Sequence, residues 1–257
     1  MDYPTSNQPS DADFASWSQP IGSSVPTHAA PLAKSTTLPG QYVTLEPVTQ
    51  SHIADWWDAF GRAPDHDRLH TYMLDGPWVD RAGFEEYQAR FVKAPETAFF
   101  ALVPKTDGEF DGAPASTTTS QGRFALIRAD RTNRSIEVGH VIFSPTALQG
   151  SPASTEAFYL LGRYIFEDLG YRRWEWKCNS LNAPSKRAAE RLGFVYEGTF
   201  RKHYIVKGRS RDTAWFSIVD DDWPRVKAGF EAWLDSANFD ENGTQRRGLK
   251  EIREQLP

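Results

Sequence analysis

The chain has 257 residues, 39% of them hydrophobic, enough to bury one sizeable core and still carry extensions. A formal charge of -5 and an isoelectric point near 5.7 exclude the basic balance of a general nucleic-acid binder, and the lone cysteine, Cys178, excludes an intramolecular disulfide framework and a cysteine-cluster metal site. With no apolar run of membrane-span length and no signal-peptide pattern at its start, the sequence predicts a soluble, cytoplasmic protein that works without membrane or nucleic acid.

In chain order, residues 1–37 are rich in Ser, Pro, Thr, Ala and Asp without an apolar period and read as a disordered leader. An alternating strand over 41–48 precedes a helix over 52–60, which places Ile53, Trp56, Trp57 and Phe60 on one face behind Thr49 or Ser51 as cap. The polar, turn-rich stretch 61–68 leads to 69–78, and a helix over 81–91 follows with Phe84, Tyr87 and Phe91 in step. Strands at 99–103 and 124–128 flank 106–121, whose two Asp-Gly pairs and Ser/Thr run suit a flexible surface insertion. The apolar run 136–143 is a strand, and a helix opening at Thr155 with Phe158, Leu161, Ile165 and Leu169 stops at Gly170. A strand over 174–178 and a short helix follow, the helix marked by Pro184 inside its start and Gly193 past its end. Strands at 195–206 and 212–219 and a helix over 223–234 complete a domain spanning 38–235, and 236–257 reads as a polar tail with one weak helix.

Two stretches of the central unit carry a family likeness. Gln149-Gly150-Ser151-Pro152-Ala153-Ser154-Thr155-Glu156-Ala157 resembles the acyl-CoA pyrophosphate loop of the GNAT superfamily, in the branch that includes the ribosomal-protein N-terminal acetyltransferases. Asn182-Ala183-Pro184-Ser185, followed by Glu190-Arg191-Leu192-Gly193-Phe194, resembles the second signature of that family, in the matching order and spacing. Pro152 stands where the family usually has a glycine, and proline supplies no amide hydrogen to a pyrophosphate. The resemblance implies an α/β fold of the α+β kind, a splayed, mixed, mostly antiparallel sheet flanked by helices. It also implies acetyl-CoA as co-substrate, no metal, and direct attack by a primary amine in a ternary complex. Residues 61–78 correspond to the segment over the acceptor site.

The chemistry distributes as follows. Gln149, Gly150, Ser151, Ala153, Ser154 and Thr155 run into a helix start, where unpaired N–H groups and the helix dipole suit a diphosphate, although such a loop alone is also an ordinary strand-to-helix connection. Glu137, in the central strand amid apolar neighbours, is a candidate base and acceptor ligand, or equally a strand glutamate paired with an arginine. The resemblance places the thioester carbonyl beside Val141, Ile142 and Phe143, with Gly139 allowing the strand to bulge or approach closely. Ser185 can donate to the departing sulfur and Asn182 can hold the pantetheine or acyl group, while both are also residues that begin helices. Arg187, with Lys186 and Arg191, is a candidate for the CoA phosphates or a solvated helix face. Trp56, Trp57, Tyr72 and Trp78 are acceptor-pocket candidates or core. His140, three residues beyond Glu137, falls on the opposite face of a regular strand, which argues against a dyad. His203 and Tyr204 are further proton carriers or structural residues, and Cys178 reads as a buried small hydrophobe. A protein N-terminus, an amino acid or peptide, and a small-molecule amine remain open as acceptors, as does a homodimer. The competing class is a non-catalytic CoA sensor or interaction module, suggested by Pro152 and the long tails.

Overall fold

The computed structural model describes residues 10–17, 20–62, 64–94, 97–105, 119–241 and 243–256. The first nine residues of the expected leader and residues 106–118 of the expected insertion lie outside the described residues. The helices are α1 (Asp11–Ser16), α2 (Gln50–Trp56), α3 (Arg81–Val92), α4 (Pro152–Arg163), α5 (Ala183–Leu192), α6 (Trp223–Leu234) and α7 (Leu249–Glu254). Eight strands form one sheet in the order β1-β2-β3-β4-β5-β6-β8-β7. They are β1 (Leu38–Pro39), β2 (Val43–Pro47), β3 (Ala98–Pro104), β4 (Gly122–Asp130), β5 (Ser135–Phe143), β6 (Arg173–Asn179), β7 (Val195–Val206) and β8 (Arg209–Val219).

The neighbours are antiparallel except β5 and β6, which α4 joins as a parallel pair. That pairing runs only from Ser135 opposite Arg173 to Val138 opposite Trp176. Beyond it a β-bulge bends β5: Arg123 of β4 faces Ile142 and Ala125 faces Gly139, so two residues of β5 oppose Phe124 alone. His140, with φ 53°, takes the left-handed conformation of the bulge. Gly139 serves close approach, since a Cβ there would stand 2.5 Å from Cδ1 of Ile127. The bulge also resets the alternation of side chains. His140 packs against Phe91 and Phe99, on the face that carries Glu137, which corrects the opposite-face expectation for these two residues.

The sheet separates two apolar clusters. On one face α4, α5, α6 and α7 cover Phe124, Trp174 and Phe216; on the other, α2 and α3 bury Trp56, Phe60 and Phe84 against Phe99 and Ile142. Both ends of the chain join the first cluster. Ala30 and Ala33 are buried there, and the hydroxyls of Tyr164 and Tyr171 donate to the carbonyls of Lys34 (2.8 Å) and Pro31 (3.0 Å), so this part of the expected leader is docked. The backbone carbonyls of this segment thus find fixed donors. The expected polar tail is docked too, because Leu249 and Ile252 fill the core beside α5 and α6. In α4, Glu156 is a buried carboxylate that accepts from the N–H groups of Gln41, Tyr42 and Val43 at 2.7, 2.6 and 2.9 Å, tying the start of β2 to the helix.

Candidate active site

The divergence of β5 and β6 opens a cavity of about 960 Å³ whose floor is the strands and whose mouth meets the first turn of α4. Along it lie Glu137, Val141, Ile142 and Phe143 from β5, then Gln149, Gly150, Ser154 and Thr155, with Asn182 and Ser185 from the start of α5. Tyr72 reaches it from the segment between α2 and α3. These are the sequence-selected residues that the fold brings together. Past Val138 the β6-facing backbone edge of β5 has no strand beside it, an arrangement suited to a ligand with amide groups of its own.

Several candidates fall elsewhere, each for a physical reason, Trp57 among them with its ring edge-on to Phe84 at 5.6 Å between centroids. Trp56 is fully buried and its indole N–H donates to Ser120 Oγ at 2.9 Å, so the apolar face of α2 is spent on the core. Trp78 packs on Tyr87 and Phe84, with ring centroids 4.7 and 5.7 Å away, and does not line the cavity. Ala153 is core and Ser151 is the N-cap of α4, its Oγ accepting from Ser154 N at 3.3 Å. Arg187 is exposed on the outer side of α5. The helix phase that brings Ser185, Ala188 and Arg191 to the cavity turns residue 187 away from it.

Pro152 is the first residue of α4, which therefore begins three residues before the expected start at Thr155. At that position no intrahelical bond is lost, and the next residue, Ala153, retains an N–H without an i−4 partner in the helix. Arg191 adds a cation at the same end: its Nη1 donates to Thr155 Oγ1 at 3.1 Å and its guanidinium lies 5.0 Å from the Trp233 ring. Phe239, Thr244 and Gln245, from the segment expected to be a tail, close this end of the cavity, and Gln245 Oε1 accepts from Trp233 Nε1 at 2.8 Å.

At the start of α5, Asn182 is the N-cap, its Oδ1 accepting from Ser185 N at 3.1 Å, and Gly193 ends the helix with φ 109°. Ser185 Oγ accepts from the indole N–H of Trp176 at 3.0 Å. That bond uses one lone pair of the oxygen and not its hydrogen, which can turn to the cavity or to the Cys178 sulfur beside it. Cys178, buried beside it, has its thiol pushed above the ordinary range by burial.

At the opposite end Glu137 is buried, but its partners are cations rather than apolar groups: Oε2 accepts from Arg128 Nη1 at 2.7 Å and from Lys177 Nζ at 2.9 Å. Both bonds are to Oε2, which leaves Oε1 for a further hydrogen bond. Lys177 also reaches Glu175 at 2.8 Å and lies 3.8 Å from the Trp215 ring centroid. The alternation from Arg173 to Cys178 held the signal for this charged face of β6, with Trp174, Trp176 and Cys178 turned to the core. His140 is held neutral, its pKa lowered to about 4 by burial and then by the positive charge of Arg123. Behind it Arg123, fully buried, is paired with Asp75 at 2.8 Å. Lys207 Nζ at the β7–β8 turn donates to the carbonyls of His70 (2.7 Å) and Asp75 (3.0 Å), holding the segment that carries Tyr72. His203 does not line the cavity, whereas Tyr204 does.

An open sheet parted between two parallel strands, with a helix N-terminus at the mouth of the gap, is an α/β architecture whose free N–H groups suit a phosphate. Comparison gives the family. Residues 43–195 match the model of the acetyltransferase (GNAT) domain, and the chain belongs to that family. The crystal structure of a GCN5-related N-acetyltransferase from Brucella melitensis is similar over 88% of this chain and 98% of its own, with TM-score 0.80 and 39% identity. Among curated proteins, the Bacillus subtilis protein named "Putative ribosomal N-acetyltransferase YdaF" is 30% identical over 41% of this chain and 57% of its own length. A second B. subtilis relative is matched over 56% of its length, so the chain spans little more than half of these two. The structure of spermidine N-acetyltransferase from Vibrio cholerae in complex with CoA and spermine, at 17% identity and TM-score 0.55 over 71% of this chain and 98% of its own, shares the fold. Among the described residues, no helix is long and apolar enough to cross a membrane and no cluster of three or more His, Cys, Asp or Glu forms a metal site.

Proposed function

We propose that the protein transfers an acetyl group from acetyl-CoA to a primary amine, by direct attack within a ternary complex. The observation that carries this reading is Ser185: its hydroxyl, oriented by Trp176, stands where the strands part, between the α4 N-terminus and Glu137. The N–H groups at the start of α4 and Arg191 suit the pyrophosphate, and the free edge of β5 suits the amide-bearing pantetheine arm. In the reaction the amine nitrogen forms a bond to the thioester carbonyl carbon, the carbon–sulfur bond breaks, and the amine loses a proton. Glu137 Oε1 accepts that proton directly or through a water. Backbone N–H groups near Val141 to Phe143 steady the charge on the carbonyl oxygen, and Ser185 donates to the departing sulfur. The acceptor is one of three kinds: a protein N-terminus, an amino acid or peptide, or a small-molecule amine.

Calorimetry with acetyl-CoA, followed by a thiol-release assay over a panel of amines, tests the proposal; absence of binding to folded protein would sink it. A protein that binds acetyl-CoA and acetylates no amine would instead be the non-catalytic sensor. Pro152, which suggested that alternative, costs α4 no hydrogen bond.

Two substitutions divide the site. Arg191→Ala is expected to weaken acetyl-CoA binding by about tenfold, the worth of one charge-assisted contact, with little change in the rate of the bound complex. Glu137→Gln is expected to slow transfer by about a hundredfold at neutral pH, with the deficit shrinking as rising pH deprotonates the free amine without help. A deficit that stays constant across the pH profile would reassign Glu137 to anchoring Lys177 and Arg128.

A further inference from the structure

Arg211 stands at the start of β8 opposite Tyr204, lines the cavity, and lies with its guanidinium carbon 5.7 Å from the Tyr204 ring centroid. The other cations of this end have partners. Arg128 and Lys177 hold Glu137, Lys177 is shared with Glu175, and Arg123 is closed on Asp75. His140 adds no charge near neutral pH. Among the described residues no carboxylate lies within ion-pair distance of Arg211, and its Nε is buried without a hydrogen-bond partner. Burial of the half-buried guanidinium pushes its pKa below the ordinary range, a shift that the charge of Glu137 offsets only in part. Such a group is costly unless something negative joins it.

We propose that Arg211 receives a carboxylate carried by the amine acceptor, so that preferred acceptors bear an acidic group near the reacting nitrogen. The inference rests on the acetyl-transfer reading. Position selects the acceptor over the CoA phosphates as the source of the anion. Arg191 sits with Thr155 at the α4 N-terminus, whereas Arg211 is carried beside Tyr204 by the β7–β8 pair, whose turn holds the Tyr72 segment through Lys207. Charge balance points the same way. A polycationic acceptor would bring like charge toward Arg128, Lys177 and Arg211, while a carboxylate would neutralise Arg211. The surrounding positive charge also favours the neutral, nucleophilic form of the amine.

The test uses the full chain with four acceptors: alanine, alaninamide, and the dipeptide amides Ala-Asp and Ala-Asn. In Arg211→Gln, the preference in kcat/KM for alanine over alaninamide, or for Ala-Asp over Ala-Asn, is expected to fall by about ten- to a hundredfold, mostly through KM. Arg211→Lys should restore part of it. A fall confined to the first pair assigns the free amino acid, and one confined to the second assigns a peptide N-terminus with an acidic neighbour. Comparing each variant with wild type on the same acceptor cancels differences in amine basicity. Proportional loss of kcat on all four would overturn the inference and make Arg211 a stabiliser of charge on the transferred carbonyl. An unchanged preference, or wild-type protein that binds acetyl-CoA and acetylates only amines without a carboxylate, would overturn it equally. Failure to bind acetyl-CoA at all would remove the underlying reading instead.

Discussion

Ser185→Ala is expected to slow the chemical step by about a hundred- to ten-thousandfold while leaving acetyl-CoA affinity nearly unchanged. The asymmetry follows from when the hydroxyl matters. In the bound thioester the sulfur carries little charge, and it becomes strongly negative only as the carbon–sulfur bond breaks, so the lost interaction appears in kcat rather than in binding. Trp176 sharpens the expectation, because its indole N–H fixes the Ser185 oxygen without taking up the hydroxyl hydrogen. The same contact predicts a side effect. With the oxygen removed, the Trp176 N–H loses its partner, which costs about 1–3 kcal/mol of stability. Single-turnover rates on preformed complex, calorimetry and a thermal melt separate the two roles. If affinity falls together with the melting temperature while the bound complex reacts at the wild-type rate, Ser185 serves the start of α5 and not the chemistry.

What the sequence made legible at this site is what local rules govern. Pro184 and Gly193 bound α5 correctly, and the Asn182 cap fixes Ser185 in the first turn of α5 without reference to any other element. Arg187 shows the limit of that approach. A charge run is visible in sequence, but only the packing of α5 decides that Arg191, four residues on, is the one that reaches Thr155. Trp56 shows another limit, since an aromatic on the apolar face of a helix serves core or pocket according to what is packed against it, and here that is Ser120 and Phe60.

Long-range pairing accounts for most of the rest. Glu137 was legible as a buried strand carboxylate, but Lys177, its partner 40 positions away, appears only once β5 and β6 lie side by side. Glu156 is similar: a glutamate at the start of a helix reads as a solvated charge until the chain entering β2 presents three N–H groups to it. The docked ends were misread because their apolar content is sparse. Two alanines at one end, and Leu249 with Ile252 at the other, suffice when the remaining polar backbone is hydrogen-bonded to fixed side chains. The bulge in β5 had a trace in Gly139, yet the positive φ fell on the next residue, and one inserted position reverses every face assignment beyond it.

That reversal leads to a pH dependence of stability. His140, turned inward by the bulge between Phe91 and Phe99, has its pKa lowered from 6.5 to about 4 by burial, with Arg123 and Arg128 adding to the shift and Asp75 opposing it. The native state therefore binds this proton less readily than the unfolded chain does. Its contribution to stability is fully present above pH 6.5 and is lost as pH falls toward 4, which corresponds to roughly 3 kcal/mol in all. His70, whose pKa burial also lowers, acts in the same direction, so the two must be separated by substitution. His140→Asn is the suitable variant, because asparagine tolerates the left-handed backbone of the bulge. Its absolute stability is expected to drop with the lost ring contacts, but the decline between pH 6.5 and 4.5 should become markedly shallower than in the wild type. Urea unfolding at a series of pH values measures that slope directly. Parallel curves for the two proteins would show that His140 accepts its proton as easily in the folded state as in the unfolded chain, and that another group sets the acid sensitivity.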